Sequence, residues 1–279
     1  MKLSQWQVIT VLSAVLTSLP RGESANQPKR APHRILAPAE VVNGKTLSEY
    51  GSEFWSYVAR TNENKLSLRL TTAIAQKRID EGQPKPLLLL GATVCTGQEA
   101  IDHPLVCTGQ KQPQKPIVRK ATISLKKFKY LYIPIINYAG VADAVGCKDE
   151  GLSLKECKKL IKDSCFNDEL DSGGAVAIFQ AALDASTLES TLNKRSIAQS
   201  KFTLTTDEYQ VSYIAPHVTP TVYPPGEPHG KIKPPFYGCS AAVAYMVEIE
   251  GPGTIEVGIH GIIEGFEAGP VTYKLTFVE

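Results

Sequence analysis

The sequence predicts a mostly β fold: an antiparallel β-sandwich with one or two peripheral helices and a disulfide-tied helical insert. Three observations predict it. The last third of the chain alternates apolar and polar residues in runs bounded by Gly and Pro. Leu87 to Val94 is a continuous apolar run fit for a strand buried on both faces or a short barrel stave, and Tyr130 to Asn137 is an apolar, aromatic strand pattern. A charged segment, LSLKECKKLIKDSC over Leu152 to Cys165, carries two of six cysteines and reads as a helix tied to the core.

Residues 1–24 read as a signal peptide. Lys2 supplies a weakly positive start, Trp6 to Leu19 is uncharged and apolar, Pro20 breaks the segment, and Ser24 or Ala25 offers a cleavage point. A spanning helix needs roughly 20 apolar residues, so processing is expected rather than anchoring. No later run is long enough to insert in a membrane. Residues 25–45 read as a flexible linker, rich in Pro and Arg with little that could pack. Within it, Arg34-Ile35-Leu36 resembles the Arg-x-Leu-Arg element of oomycete host-directed effectors, with Ala37 where the last Arg would stand.

Residues 46–279 read as a single β-sandwich domain with the helical insert near 150–170. Thr46 to Thr61 is expected to be a helix, capped by Thr46 or Ser48, with Leu47, Tyr50, Phe54, Tyr57 and Val58 near helical spacing. Leu66 to Ile79 forms a second helical pattern. Ala121 to Leu125 alternates as a strand, and Pro134 places Tyr130 to Asn137 at an edge or a bulge. Lys201 to Thr205 is a short strand and Val211 to Ile214 a candidate for another, while proline-rich Thr219 to Pro235 is a loop. Ala241 to Glu250, Thr254 to His260 and Val271 to Val278 are expected to close the fold as an antiparallel meander with one buried face.

Cys95, Cys107, Cys147, Cys157, Cys165 and Cys239 all follow the leader, an even number suited to an oxidising compartment. Their spacing suggests Cys95–Cys107 as a local loop and two further bridges among the other four. The alternative, a zinc site, lacks a Cys-x-x-Cys pair and a histidine at ligand spacing. Thirty basic residues balance 28 acidic ones, which gives no reason to expect nucleic acid as a partner. There is no Asn-x-Ser/Thr sequon.

Motifs shared in order from about residue 47 onward resemble a broad family of secreted, mostly bacterial proteins of unassigned activity. The matching stretches are Glu53-Phe54-Trp55-Ser56-Tyr57, Cys95-Thr96-Gly97-Gln98 and Tyr132-Ile133-Pro134-Ile135-Ile136-Asn137. Further on come Leu183-Asp184-Ala185, Phe202-Thr203-Leu204, Gly251-Pro252-Gly253-Thr254-Ile255 and Tyr273-Lys274-Leu275-Thr276-Phe277-Val278. One tryptophan of the family's pair is replaced, Ala185 stands for its turn glycine, its meander histidine is absent, and Lys65 to Pro86 looks inserted. The resemblance implies secretion and a β-sandwich, and it implies no activity.

No catalytic set emerges. Asp171-Ser172-Gly173-Gly174 resembles the turn around a serine nucleophile, but Leu170 stands where such proteases need Gly, and no Ala-Ala-His-Cys element lies upstream. A Gly-rich turn after the cysteine helix explains it as well. His217, Glu227 and His229 could form a two-His, one-carboxylate set, though not at helical metalloprotease spacing. No cofactor is expected beyond calcium, for which Asp163, Asn167, Asp168, Glu169 and Asp171 gather oxygen ligands without the glycine of an EF-hand loop.

The best binding candidate is aromatic. Tyr209, Tyr213, Tyr223, Phe236 and Tyr237 bracket the stiff, proline-rich loop, and exposed tyrosines offer an apolar face with a polar tip. The alternative is that they cap the sandwich end as core. The expected function is therefore an extracellular, non-enzymatic module binding a glycan or a protein. A secreted hydrolase or lyase, or a host-directed effector, is the competing expectation.

Overall fold

The computed structural model describes residues 29–60, 82–91, 117–166, 174–184, 188–211, 236–263 and 266–279. The chain runs β1 (His33–Ile35), α1 (Leu47–Arg60), β2 (Leu87–Leu89), β3 (Ile117–Ser124), β4 (Tyr130–Asp143), α2 (Ala144–Asp149), α3 (Leu154–Phe166) and α4 (Ala175–Asp184). It continues through β5 (Leu188–Leu192), β6 (Arg195–Ser196), β7 (Thr203–Val211), β8 (Phe236–Ile249), β9 (Gly253–Ile263) and β10 (Phe266–Val278). The described residues are mostly β, with two five-stranded sheets and few helices, of which α4 adds Phe179 to the core between the sheets.

In the first sheet β8 is central. β4 pairs along one side of it, while β7 and β1 follow one another along the other, and β2 lies beyond β4. The second sheet has the order β3-β10-β9-β5-β6. Most pairs are antiparallel, but β2 runs parallel to β4 and β3 parallel to β10.

The alternation of each strand decides which core it feeds. Ile255, Val257 and Ile259 of β9 and Val271, Tyr273, Leu275 and Phe277 of β10 point inward, where they meet Leu131, Ile133, Val243, Tyr245 and Val247 of the first sheet. The other face of the first sheet is also buried. There Tyr132, Ala244 and Met246 pack under Tyr50, Phe54, Trp55 and Val58 of α1. β2 shows both layers at once, with Leu88 and Leu90 in the inter-sheet core and Leu87 and Leu89 in the core under α1. The expectation of a strand buried on both faces holds, although the strand itself stops at Leu89.

α1 begins where expected. Thr46 N donates to Glu49 Oε2 at 2.7 Å while Glu49 N donates to Thr46 Oγ1 at 3.3 Å, a reciprocal cap. Pro134 marks a bulge, as expected: the register jumps from Pro134↔Ala244 to Ile136↔Val243, leaving Ile135 as the extra residue.

Two expectations are corrected. The three closing segments are not one meander. β9 and β10 form a hairpin in the second sheet, but β8 belongs to the first sheet and is buried on both faces. The physical sign lies in Ser240 to Val247, which carries apolar or small residues at successive positions instead of alternating. The expected linker also departs from its reading, because its later part packs. β1 pairs with β8 at His33↔Ile249, Arg34↔Glu248 and Ile35↔Val247, and Ala31, Leu36 and Val42 are buried. Arg34 pairs with Glu40 at 2.7 Å and Glu248 at 2.8 Å, so its charge is used within the fold. Ala31 N donates to Thr254 O at 2.9 Å. A Cβ on Gly253, whose φ is +145°, would lie 2.5 Å from Ala31 N, so this crossing needs glycine.

The second helical pattern over Leu66 to Ile79, the Cys95–Cys107 bridge and the Thr219 to Pro235 loop lie outside the described residues, as does Ile214 of the short strand expected from Val211. Val211 itself ends β7. Among the described residues, no helix is long and apolar enough to cross a membrane.

Candidate functional site

One end of the first sheet is built differently from the rest. Here the cover is α3, and α3 is held by sulfur. Cys157 in its first half is bonded to Cys147 of α2, the helix that directly continues β4. Cys165 in its last turn is bonded to Cys239 of β8. Because β4 and β8 are paired neighbours, with Gly140 opposite Cys239, the helix is fastened to both. A Cβ on Gly140 would lie 3.2 Å from Ser164 Oγ and 3.3 Å from both Cys239 Sγ and Ile161 Cγ2. The glycine therefore lets α3 sit close on the strands.

The start of α3 carries the same reciprocal cap as α1. Ser153 N donates to Glu156 Oε2 at 2.8 Å and Glu156 N donates to Ser153 Oγ at 3.3 Å. The Ser153 hydroxyl, donating to Glu156 Oε2 at 2.6 Å, and then the Ser153 N–H hold the Glu156 carboxyl below the usual range. The cap sets the register of the lysines that follow. Lys155, Lys158, Lys159 and Lys162 are all exposed. At about 100° per residue they fall within an arc of about 100° on one side of the helix.

β7 and β8 bring the other groups. Glu208 stands opposite Cys239 and Gln210 opposite Tyr237, and opposed residues share a face of the sheet. Glu208 therefore emerges on the α3 side, where Lys162 Nζ lies 2.8 Å from its Oε1. That hydrogen bond raises Lys162 above the ordinary lysine value. Tyr237 meets the helix through Lys158, whose Nζ sits 3.3 Å from the centre of the ring, a cation–π contact. Lys158, Ile161, Lys162, Glu208, Tyr237, Gly238 and Cys239 together line an open cavity of about 340 Å³.

Of the aromatic residues expected to bind, Tyr237 lines this cavity. Tyr209 lies opposite Gly238, and Phe236 opposite Val211 and Asp143, register positions that alternate with the Gln210–Tyr237 pair and so belong to the other face of the sheet. Tyr213 and Tyr223 lie outside the described residues, within the 212–235 stretch that joins β7 to β8. Of the residues considered for calcium, Asp163 is on α3, and Asn167, Asp168, Glu169 and Asp171 lie outside the described residues. Ser172, His217, Glu227 and His229 lie outside them too. No group of three or more His, Cys, Asp or Glu is placed to hold a metal ion among the described residues.

Sequence reasoning missed Lys158, Lys162 and Glu208. The lysines did leave a sign, a repeat at spacings of three, four and seven residues within KECKKLIK. What gives them a partner is the Cys165–Cys239 bond, which no spacing announces. Arg119 was missed as well. It is 1% exposed on β3, donates to Tyr273 Oη, and stacks over that ring at 5.3 Å, while Tyr273 Oη donates to Gly91 O at 2.6 Å. This buried set ties Gly91 to the second sheet and opens on no described cavity.

The cavity can hold a ligand by three means: the face of Tyr237, the two ammonium groups, and the carboxylate of Glu208 as a hydrogen-bond acceptor. Among the described residues its one carboxylate is already paired with Lys162, and no histidine or second carboxylate lines it. Comparison of the chain with family models, with curated proteins and with solved structures returns no match.

Proposed function

We propose that this is a secreted, non-enzymatic recognition protein that binds a glycan at the cavity between α3 and the ends of β7 and β8. The observation that carries the reading is the Tyr237 ring standing at the rim of an open cavity beside charged, exposed side chains. Sugar rings stack their C–H faces on tyrosine and exchange hydrogen bonds with flanking polar groups, and this rim supplies both. Secretion is supported by the apolar leader in the sequence and by two disulfides, which persist in oxidising compartments. Covalent fastening of the helix that lines the cavity also lowers the ordering cost of binding.

The test is a glycan array and insoluble-polysaccharide pull-down with the oxidised protein beside a Tyr237→Ala variant. Saturable binding that is lost in a variant retaining its circular dichroism and both disulfides supports the reading. Equal binding by the two proteins would move the site elsewhere. No binding to any saccharide would end the glycan reading and send the search to an extracellular protein partner or a hydrolase substrate panel.

A further inference from the structure

Lys155, Lys158, Lys159 and Lys162 share one exposed arc of α3, and Asp163 and Glu156 border it about 40° and about 60° beyond Lys159. Lys155 and Lys162 are seven residues apart, about 10 Å along the axis, a span comparable to a disaccharide. The net charge of the whole chain is only +2, so this concentration of four ammonium groups is a local feature. Two of the four, Lys158 and Lys162, line the cavity itself, next to Tyr237.

We infer that the occupant of this site is an acidic saccharide, a chain bearing uronate or sulfate groups, lying along the basic side of α3 with one sugar ring on Tyr237. The inference rests on the glycan reading of the same cavity and narrows its ligand. Ammonium groups on a fixed helix answer a regular row of anions, and each ion contact formed replaces one to solvent counterions. In the free protein Lys158 lies over the Tyr237 ring and Lys162 is held by Glu208. Lys158, Lys162 and Glu208 are exposed, so an anionic ligand can exchange these contacts for its own at little cost.

Glu208 gives this inference a sign. Its carboxylate sits among the lysines, with its side chain 59% exposed. Toward an anionic ligand it is a repelling charge and a competitor for Lys162. Toward a neutral sugar it is only a hydrogen-bond acceptor. Neutralising it therefore strengthens one kind of binding and weakens the other.

The experiment measures binding of the oxidised chain to a uronate polymer, a sulfated polysaccharide, a neutral glucan and polyglutamate, at low and raised salt. Glu208→Gln and a Lys158→Gln, Lys162→Gln double variant run alongside, each checked for native circular dichroism. The expected result is binding to the acidic saccharides that weakens about tenfold or more in the double lysine variant and with salt raised from about 50 to about 300 mM. Glu208→Gln binds them about threefold more tightly, the scale of one screened surface charge. Binding to the neutral glucan that survives the lysine changes and falls with Glu208→Gln would overturn the acidic-ligand inference while leaving the glycan reading intact. Binding to polyglutamate and to no saccharide would overturn both, as would binding to none of the four.

Discussion

Two helices pack on the same sheet and are held there by opposite means. α1 buries nine of its 14 residues, among them Phe54, Trp55, Tyr57 and Val58. α3, with 13 residues, buries Cys165 alone. Both begin with the same hydroxyl–carboxylate cap, at Thr46 and Glu49 in one and at Ser153 and Glu156 in the other. The cap starts a helix but does not dock it. Burial docks α1, and disulfides at Cys157 and Cys165 dock α3. The difference has a consequence for function. A helix held by burial must spend its residues on apolar contact, whereas one held by two covalent bonds can leave its surface charged.

The largest effect is expected where docking rests on packing. Phe54 is 1% exposed, meets Trp55 edge-on at 5.6 Å between ring centres, and lies 6.3 Å from the Tyr132 ring. Truncating such a side chain removes transfer energy and leaves a void, so Phe54→Ala should cost about 3–5 kcal/mol in denaturant unfolding. Reductant should not change that difference. A loss below about 1 kcal/mol would mean that α1 is not a packed layer of this fold.

The next effect belongs to α3. Cys165 and Cys239 are 74 residues apart, and the loop-closure argument sets about 4 kcal/mol as the stabilisation from joining them. Cys165→Ala combined with Cys239→Ala should release the end of α3 that faces the cavity. Hydrogen exchange can read this helix by helix. Protection of α3 amides should fall steeply in the double variant while α1 amides keep theirs relative to the core. Simultaneous loss in both helices would show that they are one cooperative unit, and the contrast between them would fail.

How much of this was legible in the sequence follows from the same contrast. α1 was legible because burial leaves periodicity, with Leu47, Tyr50, Phe54 and Val58 at helical spacing behind a capping threonine. β9 and β10 were legible because one face of each is wet, which enforces strict alternation. β8 reads as part of their sheet but belongs to the other. A strand buried on both faces has no period to read, and a turn such as Gly251-Pro252 leads equally well to a hairpin or to the opposite sheet. β1 reads as linker because a three-residue strand flanked by prolines carries almost no local signal, and its stability comes from β8 more than 200 residues away. At the candidate site, Tyr237 was legible as an aromatic beside a loop. Its lysine neighbours were not, because their position depends on which of three ways four cysteines pair.

A smaller effect tests the docking of β1. Glu248 accepts from Lys129 and Arg34, and these bonds hold its carboxyl below the ordinary value of 4.5. A lowered carboxyl contributes stability that is present above that value and is lost as pH falls through the folded value. Glu248→Gln should therefore cost about 1–2 kcal/mol at neutral pH. The gap between variant and parent should close as the pH drops below about 4.5. A gap that stays constant into acid would show that shape at this position matters and charge does not.

The smallest stability effect is expected at the site with the largest functional one. Lys162 and Glu208 pair at 2.8 Å, but both side chains are 59% exposed, and pairs of that kind contribute little to folding. Glu208→Gln should leave the unfolding curve where it is, with the raised lysine value at Lys162 relaxing toward normal in an NMR titration. A helix held by packing could not absorb such a change so freely if its pairs were part of its seat. Because α3 is fastened by Cys147–Cys157 and Cys165–Cys239, the ion pairs on its surface are released from that duty. A measurable drop in unfolding midpoint on this one substitution would show that the lysines of α3 help to dock it, and would remove the reason for reading them as a surface kept free for a ligand.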